Sequence, residues 1–271
     1  VEYLPKWHRI EELIKLVKFV GVGRPGYRRE SKYPIMWVDV PMTDISSTLV
    51  RRNVKQGCSI KYLVTPEVEN YIVSNLDLEY AEEIFPGTRE ELIKKVKESV
   101  KESRFKHILG VEKSAIELAK QNDYSIEKAS IAALVHDYAK ERTAEEFKKT
   151  ILDENLSKDL LNWNNFIWHG VVGAEIIKNE LQIKNEEILN AVRRHTVGDV
   201  EMTTLDKIIY VADYIEEGRN FPGVKLARTI AKTNLDDAVS YETKHVLEFL
   251  LSQDKVIYPK AILTYNKWVA E

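Results

Sequence analysis

The sequence predicts a mostly α protein, in which an all-helical region follows a partial α/β fragment. Three observations carry this expectation. From about Ala81 onward, apolar residues recur at helical spacing in segment after segment. Before Leu76, short β-branched runs bounded by Gly and Pro alternate with short helical ones. Pro86-Gly87 punctuates the junction. The expected domains are therefore residues 1–80 and 81–271.

In the first region, His8 to Leu16 has helical spacing, with Ile10, Leu13, Ile14 and Val17 on one side. Phe19 to Val22 and Ile35 to Val40 read as strands. Ser46 to Gln56 reads as helix, closed by Gly57 where a left-handed cap is favoured. Pro66 opens a further helix at its first turn. Three or so strands make only part of a sheet.

In the second region, Thr88 to Val100 is amphipathic, with Leu92, Ile93, Val96 and Val100 as its apolar stripe. Further helices are expected over roughly 103–121, 126–139, 143–151, 169–181, 185–194, 203–216, 225–231 and 235–250. No internal repeat or low-complexity tract interrupts them.

Bulk properties narrow the function. A chain of 271 residues, 44% hydrophobic and 31% charged, has the material for a globular core. A net charge of −3 argues against a nucleic-acid polymer as partner, while leaving room for a local basic pocket. Cys58 is the only cysteine, so no intramolecular disulfide framework exists. The apolar stretch Ile14 to Val22 is too short and too lysine-interrupted to span a membrane. The start lacks a basic-then-apolar signal layout, so the cytoplasm is the expected compartment. The chain opens on Val1 and enters patterned structure at once, which suggests a fragment of a longer polypeptide.

Chemistry concentrates between residues 107 and 213. Four of the six histidines, His107, His136, His169 and His195, lie there. Asp137 follows His136 directly, and Asp213 sits inside an apolar run, Ile208 to Tyr214. Taken singly, each has a bland reading as a hydrogen-bonded core residue. Together, buried imidazoles and carboxylates are costly unless paired or bound to a cation. This mixed nitrogen and oxygen set suits borderline divalent ions such as iron, manganese or zinc. Asp137, with two oxygens, could bridge two ions about 3.5–4 Å apart, an arrangement that activates water for phosphoryl transfer. Lys140, four residues after His136, is expected one turn along the same helix face.

The order His107, His136-Asp137, Asp213 resembles the HD-domain superfamily of metal-dependent phosphohydrolases. The segments Arg104 to Val111, Ala133 to Lys140, His169 to Ala174, Arg194 to Gly198, Tyr210 to Glu216 and Gly218 to Val224 are similar to bacterial HD-domain diadenosine tetraphosphate hydrolases. The likeness covers roughly 95–260. It implies a hydrolase that splits diadenosine tetraphosphate symmetrically into two ADP through a metal-activated water. It also implies one or two metal ions, divalent or mixed-valence and usually iron. His107, His136, Asp137 and Asp213 would hold the first. His169 and His195 would hold the second, or a substrate phosphate. Catalytic roles fall to Asp137, His136 and Lys140, and substrate contacts to His169, His195, Thr196, Lys140 and Arg219. The sequence leaves a homodimer open.

Ser46, Ser47 and Thr48 stand at a helix start, with Arg51 one turn in. Free N–H groups there suit phosphate, although from physics alone plain N-capping by Ser46 or Ser47 is the favoured account. The segment resembles the carboxy-terminal half of nicotinate-nucleotide adenylyltransferases, in which Ser46, Ser47 and Arg51 would contact nucleotide. That likeness spans about 1–75. The fold class thus reads in full as an all-helical HD domain preceded by a partial, Rossmann-like nucleotidyltransferase fragment. The transferase family's Gly-rich turn and catalytic histidine motif do not occur in these residues, so no adenylyl transfer is expected from them alone. Adenylyl transfer for NAD biosynthesis by a longer parent, and a non-catalytic nucleotide-binding module, are the alternatives.

Overall fold

The computed structural model describes residues 9–22, 31–38, 45–55, 60, 63–66, 68, 81 and 84–271. The chain divides into two compact units, Val1–Val50 and Arg51–Glu271. In the first, helix α1 (Ile10–Leu16) is followed by strands β1 (Phe19–Val22) and β2 (Ile35–Val38), which pair in parallel with Phe19 opposite Ile35 and Val22 opposite Val38. Ile10 and Tyr33 are its buried apolar pair, with Leu13, Ile14, Phe19 and Ile35 packed around them. Residues 39–40, Gly57 and most of the helix expected after Pro66 lie outside the described residues. Helix α2 (Ser47–Lys55) begins where Ser46 Oγ accepts the Leu49 N–H at 3.1 Å.

From Arg89 onward the regular elements of the second unit are all helices. Helix α3 (Arg89–Ser99) starts with a capping box, in which the Thr88 side chain accepts from Glu91 N and the Glu91 side chain accepts from Thr88 N. Helix α4 (Glu102–Gln121) buries Phe105, Ile108, Val111, Ala115 and Ala119 against α5 (Ile126–Val135), whose residues 129–135 are buried on every side. Such a helix is the centre of the bundle, so whatever follows it is delivered into the interior. Helices α6 (Ala144–Asp153), α7 (Asn165–Val171), α8 (Gly173–Glu180), α9 (Glu186–Arg194) and α10 (Thr204–Ile215) follow: α9 and α10 pack on α5, α7 and α8 on α9, and α6 on α8. Asn164, Asn185 and Thr203 cap α7, α9 and α10 through side-chain oxygens. Helices α11 (Val224–Ala231) and α12 (Leu235–Ser252) pack on α10, and α13 (Pro259–Tyr265) packs on α12 and runs into a π-helical turn, Asn266–Ala270. Ile108, Ile131, Leu134, Ile177, Leu189 and Ile209 are fully buried. Each contributes about 1.5–3 kcal/mol to folding by leaving water.

Two expected helices end differently. The segment expected as helix over 126–139 leaves the α-helix after Val135 and continues in turns closed by Tyr138 N–H to Val135 O and Lys140 N–H to Asp137 O. These turns keep Tyr138 and Ala139 buried, so the apolar spacing looks helical although the geometry has changed. Lys140 therefore reaches the interior from a turn, and not from the face of a continuing helix. The helix expected over 169–181 is two, broken at Val172 between Gly170 and Gly173. Glycine inside a helix costs about 1 kcal/mol relative to alanine, which favours redirecting the chain there. Helix α13 went unexpected because Ile262 and Leu263 are exposed and the pattern is not amphipathic.

Candidate metal centre

Five structural pieces bring the predicted ligands together. His107 projects from the middle of α4, and His136-Asp137 from the turn after α5. His169 comes from α7, His195 from the residue capping α9, and Asp213 from the last turns of α10. Their ligand atoms fall into three overlapping groups, each within 4.8 Å: His107 with His136 and Asp137, His136 with His195 and Asp213, and Asp137 with His169 and His195.

Asp137 lies between the two histidine pairs. Its Oδ2 is 3.9 Å from His107 Nε2 and 3.6 Å from His136 Nε2. Its Oδ1 is 3.5 Å from His169 Nε2 and 3.8 Å from His195 Nε2. Each oxygen thus faces its own pair. Asp213 Oδ1 stands 3.0 Å from His107 Nε2, in contact but not in hydrogen-bond alignment.

The ring orientations follow from the other nitrogens. His136 Nδ1 donates to Ala133 O at 2.6 Å, His169 Nδ1 to Asn165 O at 2.6 Å, and His195 Nδ1 to Val192 O at 2.7 Å. A carbonyl only accepts, so each of these rings carries its proton on Nδ1 and offers a bare Nε2 inward. His107 Nδ1 instead faces Glu216 Oε1 at 3.1 Å.

The set passes a direct test for a cation. Among the described residues, His107 Nε2, His136 Nε2 and Asp137 Oδ1 are buried without a hydrogen-bond partner. Leaving such groups unsatisfied costs about 1–3 kcal/mol each, and a divalent ion between His107 and His136 would satisfy both nitrogens. The electrostatics of His136, His169 and His195 agree. Burial pushes His169 down to about 3, helped by the Lys140 ammonium, and His195 down to about 4, helped by His136. Burial likewise lowers His136. These imidazoles are neutral near pH 7, as ligands must be. Burial opposes charge on Asp137, but His136 and Lys140 outweigh it and hold the carboxyl well below the usual carboxylate range. Asp213 is lowered in the same way against its burial, chiefly by His107. Burial also opposes charge on His107, yet Asp213 and Glu216 raise it.

Cations ring the carboxylates. Lys140 Nζ donates to His169 Nε2 at 2.9 Å and lies 3.6 Å from Asp137 Oδ1. Arg219 gives Nε to Asp213 O at 3.0 Å and a terminal nitrogen to Asp213 Oδ1 at 2.5 Å. Thr196 Oγ1 is 3.0 Å from His169 Nε2 and 3.1 Å from His195 Nε2. Two contributors received no role from the sequence. Arg104 places a terminal nitrogen 2.9 Å from Asp137 Oδ2, and Glu216 backs His107. Arg104 lies three residues before His107 on the same helix, a spacing that could have exposed it. A cavity of about 490 Å³ opens beside His107, lined by Ser103, Lys106, Lys113, Glu217 and Gly218 among others. Ser46 serves as the cap of α2; it and Ser47 belong to the other unit, and the Arg51 side chain lies outside the described residues.

A helical bundle that gathers histidines and aspartates around an internal cation site defines a class, and residues 104–218 match the family model described as HD domain. Over 178 residues the chain is 44% identical to the Bis(5'-nucleosyl)-tetraphosphatase, symmetrical, of Bacillus subtilis (strain 168), covering 66% of this chain and 96% of that protein. The chain belongs to this family of HD-domain hydrolases. A solved structure from Clostridium acetobutylicum, described as a "predicted HD superfamily hydrolase involved in NAD metabolism", superimposes with a TM-score of 0.63 at 33% identity, covering 67% of this chain and 96% of that one. The amino-terminal part is 64% identical over 72 residues to a probable nicotinate-nucleotide adenylyltransferase of Enterococcus faecalis (strain ATCC 700802 / V583). That match takes in 27% of this chain and 33% of the transferase, so the chain spans a third of that relative. Among the described residues, no helix is long and apolar enough to cross a membrane.

Proposed function

We propose that the chain hydrolyses dinucleoside tetraphosphates symmetrically, taking diadenosine tetraphosphate and one water to two ADP. The observation that carries this is Asp137, each oxygen of which faces a separate histidine pair. His107, His136, Asp137 and Asp213 would hold one ion, iron in our reading. His169 and His195 would hold a second ion or a substrate phosphate. Bound there, a divalent cation supplies a Lewis acid and makes water a stronger nucleophile.

The protein's own side chains supply the rest. Lys140, Arg104 and Arg219 bring positive charge to a polyphosphate that carries several negative ones, and the two guanidinium forks fix its orientation. Thr196 offers a hydroxyl to a phosphate oxygen at the His169–His195 edge. The groove beside His107, flanked by Lys106 and Lys113, gives the long substrate a path out of the site. The reading extends to a cytoplasmic enzyme, with a homodimer as the assembly to test by sizing. The residues taken to act here occupy 104–219, within the expected hydrolase domain of 81–271.

The test is product identification with added Fe²⁺ or Mn²⁺. ADP as the sole nucleotide product is expected; ATP plus AMP, or no turnover, overturns the reading. A second reading concerns a longer polypeptide. The 64% identity over the amino-terminal stretch favours adenylyl transfer as the activity of a parent that also carries the upstream part of that family.

A further inference from the structure

We infer that Glu216 is a positioning residue for His107, which fixes that ring so that its Nε2 faces the cation site. The inference rests on the metal-dependent reading above.

Glu216 is 5% exposed and caps the carboxy terminus of α10, three residues after Asp213. Its two oxygens are separately engaged. Oε2 accepts the Gly218 N–H at 2.5 Å, and Oε1 accepts from His107 Nδ1 at 3.1 Å. The chain makes room for this carboxylate on two sides. A Cβ at Gly110, one turn after His107 on α4, would stand 2.6 Å from Oε2. A Cβ at Gly218 would stand 3.0 Å from both oxygens. Any side chain at either position would press on the group that holds the ring.

The backbone carrying Glu216 is itself clamped. Arg228 donates Nε to Ile215 O at 2.8 Å, and one terminal nitrogen to Glu216 O at 2.7 Å and Arg219 O at 2.9 Å. This single guanidinium ties the segment bearing Glu216 and Arg219 to α11.

His107 also differs from the other three histidines. His136, His169 and His195 are oriented by neutral backbone carbonyls three or four residues before them. His107 alone is oriented by a carboxylate 109 residues away. A carboxylate behind an imidazole raises the basicity of the opposite nitrogen and fixes the tautomer, and losing such a partner costs about 10–100-fold in metal affinity. Glu216 would thus strengthen the ligand that lies 3.0 Å from Asp213 Oδ1.

The experiment titrates Mn²⁺ alone into the full chain and into Glu216→Gln, which keeps the shape of the side chain between the two glycines. The expected result is Mn²⁺ affinity weaker by about 10–100-fold, with helix content and melting temperature unchanged. A merely structural Glu216 leaves Mn²⁺ affinity alone, and equal affinity in the variant overturns this inference while leaving the metal reading standing. A wild-type chain that binds no Mn²⁺ overturns both. Should the variant not fold, nitrogen NMR of the Zn²⁺-loaded wild type decides. His107 protonated on Nδ1 and bound through Nε2 is expected; binding through Nδ1 overturns the inference.

Discussion

Lys140 Nζ lies 2.9 Å from Nε2 of His169, so an ammonium holds the imidazole nitrogen that a second cation would need. Burial pushes the Lys140 amine down, and burial together with the Lys140 charge pushes its neighbour His169 to about 3. The two halves of the centre are therefore unlike. On the His107–His136 side both Nε2 atoms lack partners, whereas on the His169–His195 side Lys140 and Thr196 already occupy them.

This asymmetry predicts unequal ion affinities. Titration with Mn²⁺ should show one tight ion per chain and a second, weaker one that competes with Lys140. Two equal sites in an isothermal titration would contradict it.

Replacing Lys140 with Met should keep the first ion and remove charge from the phosphate edge. Turnover of the tetraphosphate is expected to fall by about 10²–10³-fold, the usual size of losing one preorganised electrostatic donor. The second Mn²⁺ should bind more tightly in the same variant. Wild-type kcat in Lys140→Met would remove the residue from the proposed role.

Asp137 serves both halves, so Asp137→Ala should lose ions from both. Elemental analysis should find the purified variant metal-free, and product formation should drop below detection. Retained turnover would show that neither histidine pair depends on the bridge.

Glu242 offers a prediction about stability. It is buried on α12 with Oε2 unpartnered, and burial, then the Asp213 charge, raises its carboxyl well above the ordinary value of 4.5. The sign follows from linkage. Below pH 4.5 the group is protonated in both folded and unfolded chains and has no effect. As pH rises above 4.5, the unfolded chain ionises and the folded one does not, so stability falls by about 1.4 kcal/mol per pH unit until the folded group also titrates. Glu242→Gln should melt higher than wild type at pH 8, and the gap should close as pH falls toward 4. A gap that is flat with pH would show that Glu242 is charged in the native state.

Much of this was legible in the sequence because the ligands sit on elements with strong periodicity. His107 falls on a long helix with a regular apolar face, and Asp213 interrupts an apolar run in which a carboxylate is conspicuous. Other features were hidden for physical reasons. The turn after Val135 keeps its apolar residues buried, so a change from α-helix to turns leaves no trace in the hydrophobic spacing. Glu216 ends another family-like segment, and only folding shows that a carboxylate so far along the chain backs His107. Arg104 heads a family-like segment without a role of its own, and its value depends on a contact with Asp137, 33 residues on. Long-range partners carry no periodic signal, so tertiary contacts had to reveal them.

The three histidines tethered to carbonyls of their own helices also bear on what removing the metal does. Because backbone carbonyls three or four residues away aim His136, His169 and His195, those rings do not need an ion to hold them inward. A chelator is therefore expected to empty such a seat without unravelling the helices that form it.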